Sequence, residues 1–449
     1  MLHSTNYNTE DVDFKTAVLR GQALDNGLYM LNQIPKINQE TIFNLKNLEL
    51  REIAFYTLHR VIKNDIPENQ LKKIINNALN FGISIEQVQN HDYICYLSKG
   101  PTCSFKDFGA RILARILEYF LKIEDKEVII LTATSGDTGG AVAQAFYEMS
   151  KIKVIVLYPK NEISKLQRKQ MTTLGKNITA IGINGKFDDC QRLVKIAFTD
   201  LDLKSINLSS ANSINFGRLL PQIIYYFWSY SRIVEGIGEK IIFSVPSGNF
   251  GNLTAGLISF KMGLPVLKFI SAVNENDEFP RFLESGIYEK VDPSKKCISS
   301  AMNVGHPSNL ARIFDLYKGQ IDEKGMIQKS PNLEELRKDI ISYSITDKLT
   351  RNTIIDFYKE FKKIIDPHGA VGWAALQNYR NRYSQNNEIK SITFETADPA
   401  KFPNEIISLI NIKPKLPSNL ENIKNKKEIS NPFDINDYQD FKLFLKNYF

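Results

Sequence analysis

From about residue 93 the chain alternates between two hydrophobic rhythms. Short, nearly continuous apolar runs at Glu127–Thr132, Lys153–Leu157, Ile178–Ile181, Lys240–Val245 and Lys268–Val273 predict strands buried on both faces. Between them, apolar residues at helical spacing predict helices over Phe108–Leu121, Thr138–Met149, Asp188–Thr199, Asn215–Ile233 and Asn252–Lys261. Such alternation implies an α/β architecture of parallel sheets covered by helices. The first 92 residues read as mostly helical, with helices expected over Val12–Leu24 and, opened by a proline, over Pro67–Leu79. Beyond Pro307 the pattern is mainly helical, with a late strand at Ile392–Glu395. Pro414–Asn431, rich in Lys, Asn and Pro, reads as a surface connection to a last helix over Asp434–Phe449. The expected division is therefore 1–92, 93–215, 216–413 and 414–449.

Composition narrows the class. With 449 residues, 43% of them hydrophobic and 24% charged, the chain is an ordinary globular protein of two or three domains. The net charge of +7 is scattered rather than blocked, which disfavours nucleic-acid binding as the main role. Cys95, Cys103, Cys190 and Cys297 are far apart and form no CxxC, so neither a zinc site nor a disulfide framework is expected. No apolar run approaches the roughly 18 residues of a membrane helix. The first residues, MLHSTNYNTEDVDF, lack the pattern of a signal or transit peptide. A soluble cytoplasmic protein is the expectation.

Three segments sit where a strand hands over to a helix, the usual place for ligands in open parallel sheets. They are Thr132–Gly140, Pro246–Asn252 and Gly100–Gly109. Neither glycine loop matches GxxxxGK[ST] or GxGxxG, so nucleotide triphosphates and dinucleotides are disfavoured. Lys106, in an apolar-flanked loop at a helix start, is placed for desolvation to lower its pKa and make it a nucleophile.

Together these segments are far more specific than any one. The sequence resembles the threonine synthases, fold-type-II enzymes dependent on pyridoxal phosphate (PLP). The resemblance rests on GQALDNGLYM, GPTCSFKDFGAR, TATSGDTGGAVA, KFDDCQ, SANSINFGR, PSGNFGNLTAG, AVNENDEF, AMNVGHPSNLAR and TADPAKFP, and runs from about Val12 to Pro403. It points to the larger branch, with an N-terminal extension and SGD where related enzymes carry SGN. The implied fold is two parallel-sheet α/β domains around a central cofactor cleft, and a monomer is favoured over a dimer.

By the same resemblance, Lys106 holds PLP as a Schiff base and shuttles protons. Gly248, Asn249, Phe250, Gly251 and Asn252 match the loop around the cofactor phosphate, and Thr396 the hydroxyl facing the pyridine nitrogen. Thr134, Ser135, Gly136, Asp137 and Thr138 match the loop that grips a substrate α-carboxylate. Asp137 beside a carboxylate is electrostatically awkward; pairing with an ammonium, or bracing the loop, are both open. Ser210, Asn212, Ser213, Asn215 and Arg218 are the residues offered to the substrate phosphate, with capping of the helix as the alternative for Asn215 and Arg218. Lys401 and Arg111 are weaker further cations. His306 and His368 are expected to brace structure, and no metal is implied. Asp398 stands where the family usually has histidine, which leaves the tuning of the cofactor ring open.

The implied reaction converts O-phospho-L-homoserine and water to L-threonine and phosphate by γ-elimination and β-addition. A phospholyase giving 2-oxobutyrate, ammonia and phosphate is the nearest rival. A threonine or serine dehydratase is disfavoured by the phosphate-binding character of SANSINFGR. A non-catalytic relative is disfavoured by the intact Lys106, Gly248 and Gly251.

Overall fold

The computed structural model describes residues 1–429, 435 and 437–448. Two sheets form its centre. The larger has six strands in the order Ile340–Ser344, Val266–Val273, Ile241–Pro246, Ser391–Glu395, Asp92–Tyr96 and Ser84–Gln89. All neighbouring pairs are parallel except the last, where Ser84–Gln89 returns antiparallel. The smaller sheet is wholly parallel, in the order Ile178–Ile183, Ile152–Pro159, Val128–Ala133 and Leu208–Ser210. The strands Val128–Ala133 and Ile241–Pro246 are buried at every position, which is why their sequences are apolar runs without alternation.

Each expected strand is present, either shifted by one residue or extended by one to three. Four strands of the two sheets were not anticipated: Ser84–Gln89, whose polar sequence suits an edge, Asp92–Tyr96, Leu208–Ser210, and Ile340–Ser344, which makes the region after Pro307 less purely helical than expected. The strand Asp92–Tyr96 belongs to the six-stranded sheet, so the chain enters that sheet before it builds the smaller one.

Several helices depart from their expected limits. The first runs only Phe14–Arg20, because Gly21 turns the chain with φ 77°. The expected helix over Asn215–Ile233 is interrupted: Pro221 lacks an amide hydrogen, and a 3-10 turn at Leu220–Gln222 separates Phe216–Leu219 from Ile223–Ile233. The segment after Pro414 is less of a simple connection than expected, since Ser418–Lys424 is helical and Leu420 is fully buried against Cys103 and Ala400. The last helix spans Tyr438–Tyr448; Asp434 and Phe449 lie outside the described residues. No helix among the described residues is long and apolar enough to cross a membrane.

What positions the site is the alignment of strand ends. Tyr96, Ala133, Ser210, Pro246 and Glu395 each end a parallel strand, and the segments after them converge on the cleft between the sheets.

Candidate active site

The convergence encloses a cavity of about 130 Å³. Lys106, Ala133–Ser135, Thr138, Asn212, Ser213, Arg218, the loop Pro246–Asn252 and Thr396 all line it. Segments more than 280 residues apart in the chain therefore face one space.

Lys106 opens the helix Lys106–Glu124. Its turn is fastened from both sides. Asp107 accepts from the Thr102 amide at 2.9 Å and the Thr102 hydroxyl at 2.7 Å. Phe105 N donates to Thr396 O at 2.9 Å, and Asp398 N donates to Cys103 O at 3.1 Å, so the lysine turn is stitched to the segment carrying Thr396. Burial pushes the Lys106 ammonium down to about 8; Asp137 opposes the shift, and Arg218 and Lys401 add to it.

The loop after Ile241–Pro246 presents amides. Among the described residues, the backbone N–H groups of Gly248, Asn249, Phe250, Gly251 and Asn252 have no protein acceptor. Five consecutive free donors at the start of the helix Gly251–Met262 make an anion cradle. Gly248 is required there because a Cβ would lie 2.8 Å from Met302 Cα. The cradle is held from outside: Asn309 Nδ2 donates to Asn249 O at 2.9 Å, and the hydroxyls of Tyr225 and Tyr226 donate to Asn252 Oδ1 at 2.9 and 2.8 Å. Asn252 Nδ2 is buried with no partner, a further donor awaiting an anion. These groups fit a phosphate, and Lys106 across the same cavity fits an aldehyde; both suit PLP.

The loop after Val128–Ala133 is braced by Thr134, whose hydroxyl accepts from Gly136 N at 2.9 Å and Gly139 N at 2.7 Å. Gly136 takes φ 133°, open only to glycine without strain. The amides of Ser135, Asp137 and Thr138 remain free of described acceptors. Asp137 does not line the cavity. Its carboxylate meets Lys401 Nζ at 2.5 Å and accepts from Gln167 Nε2 at 2.9 Å. Burial alone would raise this carboxyl, but Lys401 and Lys106 hold it well below the usual range. The awkward acid thus pairs with an ammonium, that of Lys401.

Several expected site residues lie away from the cavity wall. Ser210 and Asn215 are absent from the cavity wall. Asn215 instead caps its helix through Gly217 N at 2.9 Å and donates to Val18 O and Ser210 O, both at 2.9 Å; Ser210 Oγ accepts from Asn212 N. Arg111 points to the N-terminal extension, donating to Ala78 O at 2.7 Å and Asn80 Oδ1 at 2.9 Å. Lys401 is fully buried on Asp137 and the Thr102 carbonyl, so it is not a phosphate ligand. Asp398 caps a turn through Ala400 N at 2.9 Å and does not line the cavity.

Asn212, Ser213 and Arg218 do face the space. Asn212 Oδ1 is buried without a partner, and Arg218 anchors one guanidinium nitrogen on Ala211 O. Burial lowers the Arg218 guanidinium to about 10, which leaves it cationic at neutral pH.

His368 lines the cavity as a brace: Nδ1 pairs with Asp366 Oδ1 at 2.5 Å and Nε2 accepts from Ala301 N at 3.1 Å. It thereby fixes the Ala301–Met302 turn against Gly248. His306, bonded to the Tyr288 hydroxyl at 2.6 Å, is outside the cavity. The residue reading missed Phe187, Gln191, Gln222, Ala301 and Met302 in the wall, and Asn309 behind it. All of these but Gln222 lie in KFDDCQ and AMNVGHPSN, segments that carry the resemblance without saying which residues would face the cleft.

The comparisons with known proteins agree with this geometry. A family model described as pyridoxal-phosphate dependent enzyme matches residues 93–392. Two more, for the threonine synthase N terminus and C-terminal region, match 2–79 and 369–444. A threonine synthase of Buchnera aphidicola from Acyrthosiphon pisum is 40% identical over 425 residues, covering 94% of both chains. That of Escherichia coli K12 is 37% identical over 420 residues, 93% of each. Among solved structures, threonine synthase from Escherichia coli superposes with TM-score 0.89 and 35% identity over 100% of both chains. PLP-bound threonine synthase from Brucella melitensis does so with TM-score 0.90 and 30% identity, over 100% of this chain and 99% of that one.

Proposed function

The chain belongs to the threonine synthase family of PLP-dependent enzymes, and on that premise we propose how its cleft makes L-threonine and phosphate from O-phospho-L-homoserine and water. The observation that carries the reading is Lys106 facing five unpartnered amides, Gly248–Asn252, across one cavity.

When bound, PLP supplies the electron sink that makes the substrate's α- and β-hydrogens acidic. The amides of Gly248–Asn252 and Asn252 Nδ2 hold the cofactor phosphate, while Lys106 anchors the aldehyde end and Thr396 offers a neutral hydroxyl to the ring. The amides of Ser135, Asp137 and Thr138 at a helix start receive the substrate carboxylate. Asn212, Ser213 and Arg218 bind the phosphate ester and keep hold of it as it leaves Cγ. With its ammonium lowered to about 8, a fraction of Lys106 is free base near neutrality, and it moves protons at Cα, Cβ and Cγ, the last becoming the methyl carbon of threonine. Water reaches Cβ only after phosphate has departed, and closing the cleft between the two sheets controls that entry.

The monomer as the acting unit rests on the resemblance to the larger branch of the family, and light scattering on the purified protein tests it. Four free, buried cysteines support a reducing, cytoplasmic setting.

The deciding experiment incubates PLP-loaded protein with O-phospho-L-homoserine and quantifies threonine, 2-oxobutyrate and phosphate together. Threonine equal to phosphate, and lost in Lys106→Ala, is expected. A predominance of 2-oxobutyrate would make the protein a phospholyase instead.

A further inference from the structure

Beneath the cavity runs a polar network that the reaction scheme does not use. Its centre is the ion pair between Lys401 and Asp137, at 2.5 Å, with Lys401 wholly buried and Asp137 nearly so. Lys401 Nζ also donates to Thr102 O at 3.0 Å, and Gln170 Nε2 donates to the same carbonyl at 3.0 Å. Gln167, one helical turn before Gln170, binds Asp137. Asp107, next to Lys106, takes both the amide and the hydroxyl of Thr102.

The network crosses the molecule. Asp137 begins the helix that follows a central strand of the small sheet, whereas Lys401 lies six residues beyond the last strand of the large sheet. A buried lysine–aspartate pair is a poor source of stability compared with apolar side chains of the same volume, because both charges give up their water. It is a good source of orientation, because neither group can move without stranding the other. The turn presenting Lys401 is itself fixed by Asp398 through Ala400 N, which gives that unusual aspartate a place in the arrangement. Charge matters as well. Asp137 adjoins amides turned toward a carboxylate, and Lys401 cancels a repulsion that the acid would otherwise exert.

We propose that Lys401 is a positioning residue for substrate recognition: clamped between Asp137 and the Thr102 carbonyl, it locks the Thr134–Thr138 loop of one sheet against the Lys106 turn attached to the other and neutralises the acid beside the carboxylate site. This rests on the assignment of that loop to the substrate carboxylate. Lys401 touches neither substrate nor cofactor and acts through Asp137.

The test compares, by calorimetry on PLP-loaded protein, two amine ligands that have no leaving group and so bind without turnover. One is the phosphonate isostere of O-phospho-L-homoserine, with CH2 in place of the ester oxygen; the other is its decarboxylated counterpart, 4-aminobutylphosphonate. In Lys401→Met, affinity for the first is expected to fall at least tenfold, and for the second less than twofold. Should the single variant fold poorly, the neutral pair Asp137→Asn with Lys401→Met strands no charge. It is expected to lose at least threefold on the carboxylate ligand alone. Equal weakening of both ligands, or wild-type binding of both, overturns the proposal. Wild-type protein that bound neither ligand would overturn the functional reading and this inference with it. Wild-type binding of both that did not distinguish the carboxylate would overturn the loop assignment alone, and the proposal that depends on it.

Discussion

Asn249 Nδ2 donates to Ser213 Oγ at 2.7 Å, joining the loop proposed for the cofactor phosphate to the segment proposed for the substrate phosphate. Asn309 Nδ2 reaches the same hydroxyl at 3.1 Å. Two anion sites therefore share one oxygen, and a single substitution acts on both. Ser213→Ala removes the acceptor from two amides at a cost of about 1 kcal/mol for each. Affinity for PLP is expected to fall roughly tenfold, with a comparable rise in KM for O-phospho-L-homoserine. Titrating cofactor-free protein with PLP and measuring steady-state kinetics at saturating cofactor separates the two effects.

Gly248→Ala tests the cradle more directly. The added carbon would meet Met302 Cα at 2.8 Å and Ala301 O at 3.0 Å, and backbone on both sides cannot yield as a side-chain tip would. Displacing the loop misaims charge-assisted bonds worth about 1.5–3 kcal/mol each. PLP binding is expected to weaken at least tenfold, while binding of pyridoxal without its phosphate changes little. Equal losses for both would place the damage elsewhere.

The depressed Lys106 carries a linkage consequence for the cofactor-free protein. Its folded value of about 8 lies below the ordinary 10.5, so folding disfavours the protonated amine. The penalty is complete below pH 8, fades between 8 and 10.5, and vanishes above. Lys106→Met is accordingly expected to melt higher than the wild type at pH 7, with the difference shrinking as the pH rises to 10. Thermal unfolding across that range measures it, and a constant difference would count against the shift.

Arg312 is fully buried, with burial lowering it to about 9, and it faces oxygens of neutral groups. It donates to Tyr29 O at 2.9 Å, Ser213 O at 2.8 Å and Ile214 O at 2.6 Å. The N-terminal extension is thereby fastened to the substrate segment. Arg312→Met leaves these carbonyls without that donor and is expected to cost about 3 kcal/mol in urea unfolding. A rise in KM with little change in PLP affinity would mark the displacement of Ser213.

What could be read from the sequence, and what could not, follows a physical line. Strands such as Val128–Ala133 and Ile241–Pro246 are buried on both faces, so their apolar runs announced them. Ser84–Gln89 forms an edge with no fully buried position, and its composition gave no such signal. In the site, Lys106 and the glycine loops were legible because their chemistry is local: a turn, a strand end, a helix start. Asn215 and Ser210 lie off the cavity wall, which the sequence did not reveal because capping and ligand binding ask for the same residue types. Lys401 was placed on the wrong partner for a different reason. Its function depends on Asp137, 264 positions earlier, and nothing in the intervening sequence encodes that meeting.

The strand order of the large sheet also sets a timetable for biosynthesis. Ser391–Glu395 lies between Ile241–Pro246 and Asp92–Tyr96, each made much earlier. Until the ribosome has released residue 395, those two strands have open, hydrogen-bonding edges and no common neighbour. A nascent chain must carry the first gap through about 300 further residues of synthesis and the second through about 150, exposed to misplaced pairing. Thr396 and Lys401 emerge directly afterwards. The step that closes the sheet is thus the step that completes the cavity wall, and a chain released before residue 391 would arrive with neither risk relieved nor cleft finished.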